Sequence, residues 1–201
     1  MVVVDQFKNF NLNRKLYISK DNYCYQMITK DNKLLVMEFF FKYPERKFHL
    51  RELERLTGLS MPGVKKIVEK FKKEGLLNSE KEKVVKNYFA TRNEKFTQIK
   101  RAYNLYSIFS SGLLQFLKDK YEEPEAIILF GSYSKGEDIS TSDLDIVVVT
   151  KKQEKLNLGG FENKLTRKIS LYEVDLESVE KEFLNTLING IVLSGYFGVN
   201  L

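Results

Sequence analysis

Residues 126–149 read AIILFGSYSKGEDISTSDLDIVVV, and the fold turns on how this stretch divides. Ala126 to Phe130 are wholly apolar and run into a glycine, the pattern of a short buried strand that breaks into a turn. A second apolar run, Ile146 to Val149, is entered through Asp143-Leu144-Asp145. Strands disfavour aspartate, so two of them at the mouth of one need a chemical reason. Side chains alternate along a strand, which puts Asp143 and Asp145 on one face and turns Leu144 into the core. Gly131 and Ser132 offer free backbone N–H groups and room for a phosphate to approach closely. Lys135 is placed to reach the same phosphates, and Gly136 lets the chain turn back. Nucleotidyl transfer needs this grouping: carboxylates that hold divalent cations beside a triphosphate cradle, with an attacking hydroxyl held in line.

A third acid is expected from a neighbouring strand. The segment KISLYEVDLESV, residues 168–179, supplies Glu173 and Asp175 on one parity, opposite Val174 and Leu176, and either residue serves. Before the central stretch, residues 93–121 repeat apolar side chains at three and four, which predicts one long helix linking two parts of the chain. After it, residues 179–193 are expected to close the fold as a helix.

The first half has a different character. Residues 31–92 carry 15 Lys+Arg against 9 Asp+Glu, whereas residues 93–201 carry 13 against 16. A basic excess confined to one half points to a polyanion as that half's partner. Its pattern is three short helices followed by a hairpin. KLLVMEFFFKY is apolar around much of its circumference and stops at Pro44. HLRELERLTG has leucines at helical spacing and ends on Gly58. LSMPGVKKIVEKFKKEG starts at Ser60 and buries a stripe of Val64, Ile67, Val68 and Phe71. LLNSEKEKVVKNYFA then reads as two strands around a charged turn. This segment resembles a winged helix-turn-helix domain, and the resemblance implies double-stranded DNA as partner. Lys65, Lys66, Lys72 and Lys73 of the third helix, with Lys83 in the wing and Lys81 and Lys86 beside it, are expected to meet phosphates.

The second half carries a more specific resemblance. Gly131-Ser132, ten intervening residues that end in Ser142, then Asp143-Leu144-Asp145 before an apolar strand is similar to the signature of the DNA polymerase β-like nucleotidyltransferase superfamily, in particular its minimal members. A Gly-Ser or an Asp-x-Asp alone is weak; their order, spacing and flanking strands make the match. The resemblance implies two Mg²⁺ held by Asp143, Asp145 and, by its likeness to the family's Val-Asp-Leu strand, Asp175 rather than Glu173. It implies a nucleoside triphosphate, ATP foremost, held by Gly131, Ser132, Lys135 and Ser142, and an AMP transferred to a hydroxyl. Lys135 stands where arginine is commoner and lacks its bidentate fork. Minimal members often modify a tyrosine of a HEPN-type ribonuclease as antitoxins. A regulator that binds nucleotide or a partner without turnover is the competing reading, and it is all that remains if position 175 lies away from the other two acids and no other acid replaces it.

The expected organisation is therefore α/β (α+β): an extension of open role (1–30), a winged helix-turn-helix domain (31–95), and a nucleotidyltransferase domain with its linking helix (96–201), built on a small mixed sheet flanked by helices. One cysteine, Cys24, and one histidine, His49, exclude a Cys/His zinc cage and leave oxygen as the ligand type. No apolar run reaches the roughly 20 residues of a membrane helix, and the opening MVVVDQF meets an aspartate too early for the apolar region of a signal peptide, so a cytoplasmic protein is expected, with a homodimer as the form a winged domain takes on two-fold DNA sites. Tyr133 and Tyr172 are expected to serve packing before base stacking, and Glu137 and Asp138 to stay solvated.

Overall fold

The computed structural model describes residues 31–82 and 84–198 of the chain. The reading of residues 1–30, Cys24 included, and the place of Lys83 lie outside the described residues.

The first half follows from its sequence in every element but one short strand. Helix α1 (Asn32–Lys42) is capped by Asp31, which accepts a hydrogen bond from Lys33 N at 2.8 Å, and it buries Val36, Met37, Phe39, Phe40 and Phe41. It ends ahead of Pro44, which disfavours a helical residue before it. A three-residue strand, β1 (Lys47–His49), had no sequence signal beyond one buried Phe48 between two exposed residues. His49 then opens α2 (Leu50–Thr57), its Nδ1 accepting from Glu52 N at 3.1 Å, and Gly58 closes it at φ +70°. Helix α3 (Met61–Lys73) buries Val64, Val68 and Phe71. Strands β2 (Leu77–Glu82) and β3 (Val85–Ala90) complete an antiparallel sheet of order β1-β3-β2.

The expected single helix over 93–121 is two. Helix α4 (Glu94–Ser111) ends at Gly112, where φ is +84°, and α5 (Leu113–Tyr121) begins afresh. The apolar period continues across the break, so periodicity alone does not reveal it; the glycine does. The start of α4 belongs to the first core. Phe96 and Tyr103 pack their rings on Phe41 at 5.5 and 5.0 Å, and Tyr103 donates to Glu38 Oε1 at 2.9 Å. Its end, through Ile108, belongs to the second.

That second core forms around a four-stranded mixed sheet of order β6-β5-β4-β7. Strand β4 (Ala126–Phe130), buried at every residue, pairs antiparallel with β5 (Leu144–Val149) and with β7 (Ile191–Gly195). Strand β6 (Ile169–Val174) runs parallel to β5. Between β4 and β5 lies the short α6 (Gly131–Lys135), and α7 (Gly159–Leu165) precedes β6. One sheet face, with Leu129, Leu144, Ile146 and Val148, is covered by α4, α5 and α7; the other, with Ile128, Val147 and Val149, is covered by α8 (Lys181–Ile188). The closing segment is thus helix and then strand. Asn189-Gly190 ends α8, and the β-branched Ile191 and Val192 join the sheet instead of extending the helix.

Asp138 corrects the sequence expectation most sharply. It is 1% exposed, not solvated. Its Oδ1 accepts from Lys100 Nζ and from Asn104 Nδ2 at 2.7 Å, and its Oδ2 accepts from Arg167 Nη2 at 2.9 Å and Nε at 3.3 Å. Arg167 Nη2 also donates to the Lys42 carbonyl at 2.8 Å. Both cations are buried as well. One carboxylate therefore joins α4, the turn leading to β5, the entry to β6 and the end of α1. Beside it Ser140 donates to Glu45 through its hydroxyl, and through its backbone N at 3.4 Å. Burial alone raises Glu45's pKa, but these hydrogen bonds outweigh it and hold the carboxyl below its usual value.

Candidate functional site

The β4–β5 register sets Phe130 beside Asp145, so the chain leaves β4 next to that carboxylate. Gly131 makes the turn into α6 at φ +71°, and a β-carbon on it would overlap Asp145 Oδ2. Only glycine allows both the left-handed backbone and the close approach. Asp143, just ahead of β5, is exposed, and its Oδ2 accepts from Ser170 Oγ at 3.2 Å. Asp145 is half-buried. That burial, and then the negative charge of Asp143, raises its carboxyl above the usual pKa. Two carboxylates on one face, the inner one disfavoured in its charged form by burial and by its neighbour, are arranged for a cation.

Of the other sequence-derived positions, Ser132 is half-buried and its hydroxyl is uncommitted among the described residues. Lys135 ends α6, one turn from Gly131, and is exposed. Ser142 is committed elsewhere: its Oγ accepts from Ile139 N at 3.0 Å and its N donates to the Ile139 carbonyl at 3.0 Å, closing the turn that delivers β5. Tyr133 is buried, whereas Tyr172 is 43% exposed, its ring 5.6 Å from that of Phe130.

Asp175 does not join Asp143 and Asp145. In the parallel β5–β6 pair Asp145 lies opposite Ser170 and Val149 opposite Val174. Asp175 thus sits beyond the far end of the pair, about 16 Å along the strands from Asp145's level. There it accepts from Glu177 N at 3.1 Å and lies 3.9 Å from Lys151 Nζ. Glu173 projects from the opposite sheet face, accepting from Tyr121 Oη at 2.6 Å and from Glu154 N at 2.6 Å. The shared parity of 173 and 175 is real, but it is the parity turned away from Asp145. Ser170 occupies the shared face at the right level, a position that sequence reasoning missed. The available signal was the other parity of the same strand, Ser170-Tyr172-Val174.

Among the described residues no group of three or more His, Cys, Asp and Glu side chains is placed to hold a metal. Mg²⁺, however, takes one or two carboxylates and fills its octahedron from substrate phosphates and water. The Asp143–Asp145 pair, with the space that Gly131 leaves over Asp145, fits one such ion. It does not fit the three-carboxylate set expected for two.

In the first half, Lys65, Lys66 and Lys73 lie on the exposed side of α3. Lys72 donates to Ser79 Oγ at 2.7 Å, and Lys86 to Glu69 at 2.6 Å. Glu69, in the middle of this face, is held below its usual pKa by Lys86 and Tyr88. Two of the lysines expected to meet phosphate are therefore already engaged within the fold.

Residues 110–194 match the family model of a nucleotidyltransferase domain. No curated protein matches the chain. The matched segment runs from the last turn of α4 into β7. It contains Gly131, Ser132, Asp143, Asp145 and Ser170, and it supports a transferase of nucleotidyl groups. The three-helix half lies before it. No helix among the described residues is long and apolar enough to cross a membrane.

Proposed function

We propose that the second half of the chain binds a nucleoside triphosphate with Mg²⁺ at Asp143 and Asp145 and transfers its nucleoside monophosphate, AMP from ATP in the first instance, to a hydroxyl acceptor: the acceptor oxygen bonds to the α-phosphate and gives up its proton to solvent, and the bond to the β-phosphate breaks as pyrophosphate leaves. The observation that carries this reading is Gly131 turning over the Asp145 carboxylate, with Asp143 on the same face, inside the segment that matches a nucleotidyltransferase domain. Gly131 leaves the space, Ser132 has a hydroxyl to donate, and Lys135 supplies positive charge at the end of the same helical turn. The bound cation neutralises charge on the triphosphate. The protein's own contribution is positioning and electrostatic stabilisation. The acceptor that the sequence resemblance implies is a tyrosine of a HEPN-type ribonuclease partner, in the cytoplasm.

One observation favours a second reading, nucleotide binding without turnover: Asp175 stands at the wrong end of its strand and no other acid replaces it among the described residues, the arrangement expected from the sequence to leave a binding module alone. Transfer is kept as the first reading because a single Mg²⁺ needs no third carboxylate and residues 110–194 match a nucleotidyltransferase domain. The two readings separate in one assay. With α-labelled ATP, Mg²⁺ and a candidate acceptor, label transfer is expected from the wild type and a loss on the order of 100-fold from Asp143→Asn. Transfer that survives Asp143→Asn would refute the site. Mg²⁺-dependent ATP binding with no transfer to any acceptor would establish the second reading.

For the first half we propose a winged helix-turn-helix module that binds double-stranded DNA, as a homodimer on two-fold sites. The helix order, the three-stranded sheet and the exposed lysines of α3 support it, as does the basic excess of this half. Each phosphate that the protein no longer neutralises takes about 0.9 off the slope of log affinity against log salt. Lys65→Ala with Lys66→Ala is expected to weaken duplex binding on any sequence and to flatten that slope by about 1.8. A fluorescence anisotropy titration across salt concentrations reads it directly, and an unchanged slope would take α3 out of the interface.

A further inference from the structure

We infer that the site takes a single divalent cation with its nucleotide, because Ser170 stands where a third carboxylate would have to be. The inference deepens the nucleotide-binding reading above and rests on it.

A third acid that shares cations with Asp143 and Asp145 must come from the strand beside β5, on the same sheet face and near the level of Asp145. Strand β4, on the other side of β5, offers Phe130 and then Gly131 at that level. Strand β6 offers Ser170, paired in register with Asp145, its side chain on the shared face. Its hydroxyl reaches the acid pair directly: Ser170 Oγ donates to Asp143 Oδ2 at 3.2 Å. The acids further along β6 do not compensate. Glu173 is engaged with Tyr121 across the opposite face, and Asp175 lies beyond the end of the strand pair beside Lys151.

A neutral hydroxyl and a carboxylate differ at this position in charge and in ligand strength. Serine donates to Asp143, fixes that carboxylate's orientation, and adds no negative charge to a pair that already repels. Two Mg²⁺ side by side need anionic ligands to bridge them. Two carboxylates with a triphosphate suffice for one ion. Ser170 is therefore a positioning residue for Asp143, and the acceptor hydroxyl meets a hydroxyl at this point, not an acid.

Manganese, whose paramagnetism makes bound ions countable, provides the test on the full-length protein. Free and bound Mn²⁺ are measured by electron paramagnetic resonance at saturating α,β-methylene-ATP, which does not turn over, with only the Mn²⁺ held by nucleotide not bound to protein subtracted. One Mn²⁺ per chain is expected for the wild type and for Ser170→Asn, and two for Ser170→Asp. The Asn variant matches the Asp variant in size, so it separates charge from bulk, and Ser170 is only half-buried, so both substitutions fit. Two ions in the wild type would overturn the inference and leave the nucleotide-binding reading intact. One ion in all three proteins would overturn the assignment of position 170. No protein-dependent Mn²⁺ or nucleotide binding in any of them would instead refute the site itself.

Discussion

Replacing Asp138 with alanine should destabilise the protein by about 3–5 kcal/mol, the largest loss expected from any single truncation outside the apolar cores. The reason is what remains. Lys100 and Arg167 are both buried, and Asp138 is the only carboxylate that both of them reach in the described residues. A charge left in the interior without its counterion costs far more than the intact pair contributes. For a chain of this length the corresponding fall in Tm is roughly 6–20 °C. Lys100→Met should cost less, because Arg167 still neutralises the carboxylate.

The deficit should also depend on pH in a defined direction. Burial lowers the Lys100 pKa, and the Asp138 charge works against that shift. A lysine whose folded pKa lies below its unfolded value binds more protons when unfolded, so stability rises with pH between the two values. Without Asp138 the folded pKa falls further and the window widens downwards. The gap between wild type and Asp138→Ala should therefore narrow as pH rises towards the ordinary lysine range, as the amine enters the interior uncharged. Thermal melts at several pH values measure it. A loss below about 1 kcal/mol at neutral pH, the scale of an exposed ion pair, or a gap that widens with pH, would contradict the buried network.

Gly131→Ala should do the reverse, costing function more than stability. The left-handed backbone costs a non-glycine residue about 1–2 kcal/mol, a modest fall in Tm. The added methyl group, however, occupies the space of Asp145 Oδ2 and must displace that carboxylate or the turn. A shift of about 1 Å in a positioning group lowers rates on the order of 100-fold. Mg²⁺-dependent ATP binding by calorimetry, and label transfer, should therefore both fall by about that factor in a protein that remains folded. An alanine variant that binds ATP as the wild type does would show that nucleotide does not sit over this turn.

What the sequence discloses of this protein is local. Strand β4, the glycine turn and the Asp143–Asp145 face follow from apolar runs, a glycine and alternation, each within a few residues. The stripe of α3 is legible for the same reason. What escaped depends on partners distant in sequence. Asp175 is favoured by parity within its own strand, but which parity faces Asp145 is decided by how β6 pairs with β5. Asp138 reads as a solvated turn residue until α4 and Arg167 close over it. Ile191 to Leu193 continue the apolar period of the expected helix, and the Asn189-Gly190 stop with the open edge of β4 makes them part of a strand. The break at Gly112 is visible in the residue type and hidden by the periodicity around it.

The place of β7 has a consequence for how the chain is made. Residues 126–130 form the middle of the sheet, yet one of their two hydrogen-bonding neighbours is synthesised only at residues 191–195. A nascent chain thus holds an apolar β4 with one open flank until residue 195 has left the ribosome, and closing that flank is a long-range step. Truncation ahead of residue 191 would leave the same flank open permanently. A shortened version for expression must therefore keep this last strand, or it will present β4 to other molecules as a template for aggregation.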